Sequence, residues 1–267
     1  LQRKNPGGGE PLKTIAITNQ KGGVGKTTSC INLAAELGCM GYSVLVVDID
    51  PQGNCSSGLG VDCSTLDCTL YDLLINGVSP AEVITDTKWE GVSILPANID
   101  LAGAEVELAG AISRETRLQR GLAGIEGYDL AIIDCPPSLG ILTINALVAA
   151  NKLLIPIQCE YYALEGVGQL TRTIQLLKNY LNPGLSIDGV LLTMYDTRTR
   201  LSSEVAEEVR NQFKKIVFET IIPRNIKLAE APSYAMPIGY YEAQSSGAAA
   251  YRAFAREVVE KWLNKDL

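Results

Sequence analysis

Histidine does not occur anywhere in the 267 residues. Its absence removes Ser-His-Asp triads, His-based proton shuttles and the usual His-containing zinc sites. Cysteine occurs seven times but never as a C-x-x-C pair. The scattered thiols, Cys63 and Cys68 included, read as small buried residues of a reducing compartment in preference to metal or iron–sulfur ligands. An excess of positive charge is also missing. The net charge is -7 and the pI about 4.8, so any nucleic-acid contact has to come from a local patch. No apolar run approaches the eighteen residues of a membrane span, and nothing like a signal peptide precedes the first strand. A soluble protein is expected.

What is present suits a large core, since 46% of the residues are hydrophobic. Residues 1–11, with three successive glycines and no periodicity, read as a flexible tail or an expression remnant. From residue 12 to 267 no linker interrupts the pattern, which predicts a single domain. Apolar strand-like runs are expected at 14–18, 43–50, 92–95, 129–134, 152–157, 187–194 and 217–222. Helical spacing is expected at 29–37, 70–74, across 100–123, and at 163–181, 202–215 and 247–264. Strands alternating with helices predict an α/β fold: a mostly parallel sheet covered by helices on both faces.

The most informative stretch is Lys21-Gly22-Gly23-Val24-Gly25-Lys26-Thr27-Thr28, set between the first strand and the first helix. A glycine-rich turn in that setting is a phosphate-binding loop. Its N–H groups point inward and the helix N-terminus adds partial positive charge. Lys26 is placed to reach the β and γ phosphates, and the Thr27 hydroxyl to ligate Mg²⁺. The ordinary G-x-x-x-x-G-K-[ST] pattern has glycine where this chain has Gln20, and a second lysine, Lys21, stands early in the loop.

Ligands of parallel α/β sheets sit at the C-terminal ends of strands, where Asp48, Asp50 and Asp134 all fall. Asp134, after Ile132-Ile133, matches the acid that holds Mg²⁺ directly or through water. Asp48 is equally readable as a strand-end residue of structural use. Phosphoryl transfer needs charge stabilisation and alignment above all, so a loop, two lysines, a metal and an acid suffice. With no histidine behind the carboxylate, slow turnover is expected.

The loop K-G-G-V-G-K-T-T resembles the deviant Walker A motif of the ParA/MinD group of P-loop ATPases. The likeness continues through Asp48-Ile49-Asp50-Pro51-Gln52-Gly53-Asn54, Ala97 to Glu105, Pro136 to Gly140, Gln158 to Gly166, Leu192 to Asp196, Ile222 to Asn225 and Glu230 to Ser233. Those segments are similar to the chromosomal ParA (Soj) branch over about residues 12–262. The resemblance implies ATP or ADP with Mg²⁺ as ligands, and Lys21, Lys26 and Asp50 as the catalytic set. Asp50 would position the attacking water and share the metal site with Thr27 and Asp134. Lys21 would reach the nucleotide of a second subunit, making an ATP-sandwich homodimer. Met194, Pro223 and Asn225 would lie on the adenine side.

In that family the ATP dimer binds double-stranded DNA without sequence preference, and a ParB-type centromere-binding partner stimulates hydrolysis. The protein would then be cytoplasmic and nucleoid-associated. Here Tyr195 to Leu228 carries seven basic and five acidic residues, a mildly basic segment in an acidic chain. Arg198, Arg200, Arg224 and Lys227 are its candidate DNA contacts. A MinD-like membrane ATPase is the first alternative. It requires a basic amphipathic C-terminus, whereas residues 252–267 mix four basic with three acidic side chains. A small-molecule ligase or reductase, and a ParA relative that positions another cargo, are the remaining readings.

Overall fold

The computed structural model of the chain describes residues 12–161 and 167–263. The expected tail at 1–11, the first part of the helix expected over 163–181, and residues 264–267 lie outside them. In chain order the first elements are β1 (Thr14–Ile17), α1 (Lys26–Cys39), β2 (Val44–Asp48), α2 (Asn54–Gly58), α3 (Leu70–Ile75), α4 (Pro80–Val83), β3 (Thr85–Asp86) and β4 (Val92–Leu95). Then come α5 (Leu101–Leu108), α6 (Arg117–Leu122), β5 (Leu130–Asp134), α7 (Ile141–Ala149), β6 (Lys152–Gln158), α8 (Val167–Tyr180) and β7 (Ser186–Tyr195). The chain closes with α9 (Arg200–Phe213), β8 (Val217–Pro223), α10 (Ile226–Glu230), α11 (Ile238–Tyr241) and α12 (Ser246–Val258), which runs on as a π-helical segment to Leu263.

The strands form one sheet in the order β3-β4-β2-β5-β1-β6-β7-β8, parallel throughout except for the β3–β4 pair. This is the expected α/β class. Its strands are unbroken apolar runs because a parallel sheet is dry on both faces. Along β1 the side chains divide accordingly. Ile15 and Ile17 join Leu33, Leu37, Phe218, Phe254 and Trp262 on one side, while Ala16 joins Leu142, Leu147 and Leu153 on the other. Each fully buried aliphatic contributes about 1.5–3 kcal/mol.

Local chemistry sets several boundaries. The Thr199 hydroxyl accepts the Ser202 N–H and starts α9 at Arg200, two residues earlier than expected. Thr69 and Asp72 form a capping box that starts α3. The two-residue β3 and the short helices α2, α4, α10 and α11 were not expected, since elements this brief carry no period.

Candidate functional site

The phosphate loop connects β1 to α1, and tertiary hydrogen bonds fix it at both ends. Asn19 donates from its amide to the Pro156 carbonyl at 2.8 Å and accepts the Lys21 N–H at 3.0 Å. Thr193, near the end of β7, donates from its hydroxyl to the Val24 carbonyl at 2.8 Å. Gly23 and Gly25 adopt φ of 71° and 89°, the left-handed region that suits glycine. Helix α1 begins on Gly25 with no side-chain cap and no acid in its first turn. Its first N–H groups and the positive end of its dipole are therefore left for an anion.

Two cavities adjoin this loop. The first, of about 690 Å³, is lined by Gly22, Gly23, Gly25, Lys26, Thr27, Thr28, Asp50 and Met194 among the expected residues. The second, of about 320 Å³, is lined by Pro223, Arg224 and Asn225, and shares Gly25, Thr28 and Met194 with the first. Met194 sits between them with a φ of 52°, a left-handed conformation costing a bulky residue about 1–3 kcal/mol. A charged, loop-lined chamber joined to a smaller apolar one has the form of a polyphosphate site beside a base site.

Val24, Lys21 and Asp134 line neither cavity. Val24 is buried and serves as the wedge whose carbonyl Thr193 holds. Lys21 is half-buried at the start of the loop. Its carbonyl accepts the Lys26 ammonium at 3.1 Å.

The acids sort by their partners. Asp48 and Asp134 stand opposite each other on β2 and β5, both fully buried. Asp48 accepts the Asp50 N–H at 3.2 Å, and the Ser56 N–H and hydroxyl at 2.8 Å each. Burial pushes its pKa up to about 7 despite those bonds. Neither oxygen of Asp134 has a hydrogen-bond partner of normal geometry. Burial and then the Asp48 carboxylate push Asp134 well above the usual range, while the neighbouring Thr27 hydroxyl and Lys26 pull it back. Burial lowers the Lys26 pKa against the attraction of Asp134, Cys135 and Asp50. An orphaned buried carboxylate behind a loop threonine, with Asp50 in the cavity wall, is a donor set of hard oxygens that suits Mg²⁺.

The wall also contains residues to which the sequence assigned no role. Gln52, Asn54, Ser57, Pro137, Pro232 and Ser233 line the first cavity, and Thr193, Ile222, Leu228 and Tyr251 line the second. Gln52, Asn54, Pro137, Pro232 and Ser233 lie in segments that carried the family likeness. Tyr251 carried no signal, being one apolar position of a C-terminal helix until its hydroxyl meets Ser29 at 3.1 Å.

The four candidate DNA contacts gather near the ends of β7 and β8, which the Arg224 N–H to Tyr195 carbonyl bond draws together at 2.9 Å. Arg198, Arg200 and Arg224 are exposed and Lys227 is half-buried, and each faces a carboxylate: Arg198 with Asp196 at 2.7 Å, Arg200 with Glu204 at 2.7 Å, Arg224 with Glu160 at 3.6 Å, Lys227 with Glu230 at 2.8 Å. The Arg198 guanidinium holds the Asp196 carboxyl well below its usual range. These four cations are thus locally balanced, which the charge count of the segment did not reveal.

The family described as AAA domain matches residues 12–187. The sporulation initiation inhibitor protein Soj of Bacillus subtilis is 53% identical over 247 residues, spanning 92% of this chain and 98% of its own. The chromosome partitioning protein ParA of Myxococcus xanthus is 51% identical over 250 residues, spanning 93% and 88%. Among solved structures, cobyrinic acid a,c-diamide synthase from Mycobacterium smegmatis, with bound ADP and magnesium, is similar at a TM-score of 0.83. It shares 41% identity over 95% of this chain and 96% of that one. With half of its residues shared across nearly its whole length, the chain belongs to the Soj/ParA family of chromosome-partitioning ATPases.

Proposed function

We propose that this protein is an ATP-driven partitioning switch, forming a DNA-bound homodimer with ATP and leaving DNA on hydrolysis. The observation that supports it most is the pairing of an uncapped α1 N-terminus with the orphaned Asp134 carboxylate behind the loop. The loop N–H groups and Lys26 bind the phosphates, Lys26 exchanging the Lys21 carbonyl for a phosphate oxygen. Thr27, Asp50 and Asp134 would hold Mg²⁺, which supplies neutralisation of phosphate charge when bound. Asp50 orients the attacking water as a carboxylate without histidine behind it, which makes turnover slow. Met194, Pro223 and Asn225 enclose the adenine side.

Lys21, spare in the protomer, reaches the nucleotide of a second copy and makes assembly depend on ATP. The dimer then presents two sets of Arg198, Arg200, Arg224 and Lys227 to duplex DNA of any sequence. Exposed single-contact pairs such as Arg200–Glu204 are worth only about 0–1 kcal/mol, so phosphate displaces such carboxylates at little cost, while the two-pronged Arg198–Asp196 pair is held more firmly. A ParB-type partner accelerates hydrolysis, and the protein works in the cytoplasm on the nucleoid. The reading extends to the whole of 12–267 as a single domain.

Among the described residues no helix is long and apolar enough to cross a membrane. The apolar face of α12, with Tyr251, Phe254 and Val258, is buried in the core beside Trp262. Among the described residues, α12 therefore offers the membrane-positioning reading no free apolar face. The test is binding to a random-sequence duplex at low and moderate salt, with no nucleotide, ADP or a non-hydrolysable ATP analogue. Binding confined to the ATP-like state and weakened by salt is the expected outcome. Its absence in every state sinks the DNA reading, and steady ATP turnover that needs an added carboxylic acid would establish a ligase.

A further inference from the structure

We infer that Asp48 is a positioning residue for the hydrolytic reaction, holding the Asp50–Asn54 segment in the wall of the nucleotide cavity. The inference rests on the ATPase reading above and assigns a task to a residue that reading does not use.

The carboxylate of Asp48 is fully buried, has no basic ion-pair partner among the described residues, and is engaged on both oxygens. One oxygen takes the Asp50 N–H. The other takes the N–H and hydroxyl of Ser56 in the first turn of α2. Ser56, also fully buried, accepts the Ala97 N–H at 3.0 Å through the same hydroxyl oxygen. Asp48 therefore ties together the two ends of the intervening loop and, through Ser56, the segment after β4.

Inside that clasp the loop turns tightly. Asp50 accepts the Gln52 N–H at 3.0 Å on its carboxylate and the Gly53 N–H at 2.9 Å on its carbonyl. Gly53 has a φ of 61°, and a Cβ there would stand 2.8 Å from the Ala97 carbonyl oxygen. The segment has little room except the conformation that puts Asp50, Gln52 and Asn54 in the cavity wall.

The contrast with Asp134 decides between two roles. Both acids are buried at the same level of adjacent strands. Among the described residues Asp48 has three protein donors, whereas Asp134 has no hydrogen bond of normal geometry and the neighbouring Thr27 hydroxyl beside it. A carboxylate saturated by backbone and hydroxyl donors is an anchor, and one without a well-formed hydrogen bond is available to a cation.

Asp48→Asn tests this with almost no change of shape. The side-chain oxygen stays on the two-donor Ser56 side, which turns the amide nitrogen toward the Asp50 N–H, donor against donor. ATPase kinetics, ATP-analogue affinity and amide exchange are compared in wild type, Asp48→Asn and Ser56→Ala. Asn182→Ala, which deletes donors to the Leu147, Val148 and Ala150 carbonyls away from the cavity, controls for lost stability.

The expected result is a fall in kcat of about 10- to 100-fold in Asp48→Asn with KM and nucleotide affinity little changed. Faster amide exchange at Asp50 in the nucleotide-free protein should accompany it. Ser56→Ala should show the same split to a smaller extent, and Asn182→Ala a lower melting temperature without it. Lost Mg²⁺-nucleotide affinity at unchanged kcat would make Asp48 a metal ligand and overturn the inference, as would wild-type kinetics and exchange. Wild type that does not hydrolyse ATP under any condition would instead overturn the ATPase reading, leaving the exchange result to judge the clasp separately.

Discussion

Asp50 and Asp134 are both acids at strand ends and share the proposed Mg²⁺ site, yet only Asp50 lies in the cavity wall. Asp50 reaches the cavity wall, where orienting a water is within its means, and its replacement removes that alignment without touching the loop that binds phosphate. Asp50→Ala is expected to bind ATP at near wild-type affinity and to hydrolyse it about 100-fold more slowly or worse. Single-turnover hydrolysis beside analogue binding checks it, and normal turnover would remove Asp50 from the reaction. Burial raises the pKa of Asp48 to about 7 and that of Asp134 well above its usual range. A carboxyl whose folded pKa exceeds its unfolded value of about 4 stabilises the fold at low pH and loses that contribution as pH rises through the folded value. The nucleotide- and Mg²⁺-free protein should accordingly melt several degrees higher at pH 5 than at pH 7.5. Mg²⁺ with ADP should narrow the gap by favouring the ionised acids, and calorimetric melts at both pH values read this directly.

Elements near the site are held by contacts that leave no slack. Gly189 of β7 packs against β8, β6 and the π-helical segment after α12, and a Cβ there would overlap the Phe218 ring and lie 2.9 Å from Trp262 and 3.1 Å from Leu154. Gly189→Ala should cost about 1–3 kcal/mol through overpacking, lowering the melting temperature by several degrees with nucleotide affinity nearly intact. Gly22 in the phosphate loop is the opposite case, since a Cβ at that position meets nothing within 4 Å. Gly22→Val should fold with wild-type stability and fail to dimerise with ATP, because the branched side chain stands where a second copy must approach. Light scattering with an ATP analogue measures this, and dimers at wild-type concentration would show that the loop is not at an interface. The strand positions near this site were legible as apolar runs, and the loop as a spacing of glycines and lysines. The tie from Thr193 to the loop was not, since a threonine in a strand signals only β propensity until the fold shows what it touches.

For the whole molecule, the net charge of -7 sets a condition on DNA binding. A monomer offers one set of four cations, each already beside a carboxylate. On the proposed function, only the paired sets of a dimer would make enough phosphate contacts to outweigh the general repulsion. With six to ten contacts, raising salt from about 50 to 200 mM should weaken binding by about 10³–10⁵-fold. Titration of a fluorescent duplex measures the slope, and Lys21→Ala should reduce the affinity to the weak background of the monomer. A salt-independent affinity, or full affinity in a protein that stays monomeric, would place the contact elsewhere. The alternation of strands and helices made this α/β architecture legible in advance, while the antiparallel β3 and the brief helices around 226–241 were too short to announce themselves.

The sequence alone determined the phosphate loop, the acids at strand ends, the parallel sheet and the family likeness. Each is local: a spacing, a run or a short motif whose chemistry is complete within a few residues. Only the tertiary structure decided which side chains share the site and in what state. Thr193 meets Val24 across 169 residues of chain, and Tyr251 meets Ser29 across 222. The same applies to the difference between a saturated Asp48 and an Asp134 without a well-formed hydrogen bond, and to the carboxylate beside each of the four cations. Burial and partnership are properties of what packs around a residue, and those neighbours come from distant parts of the chain.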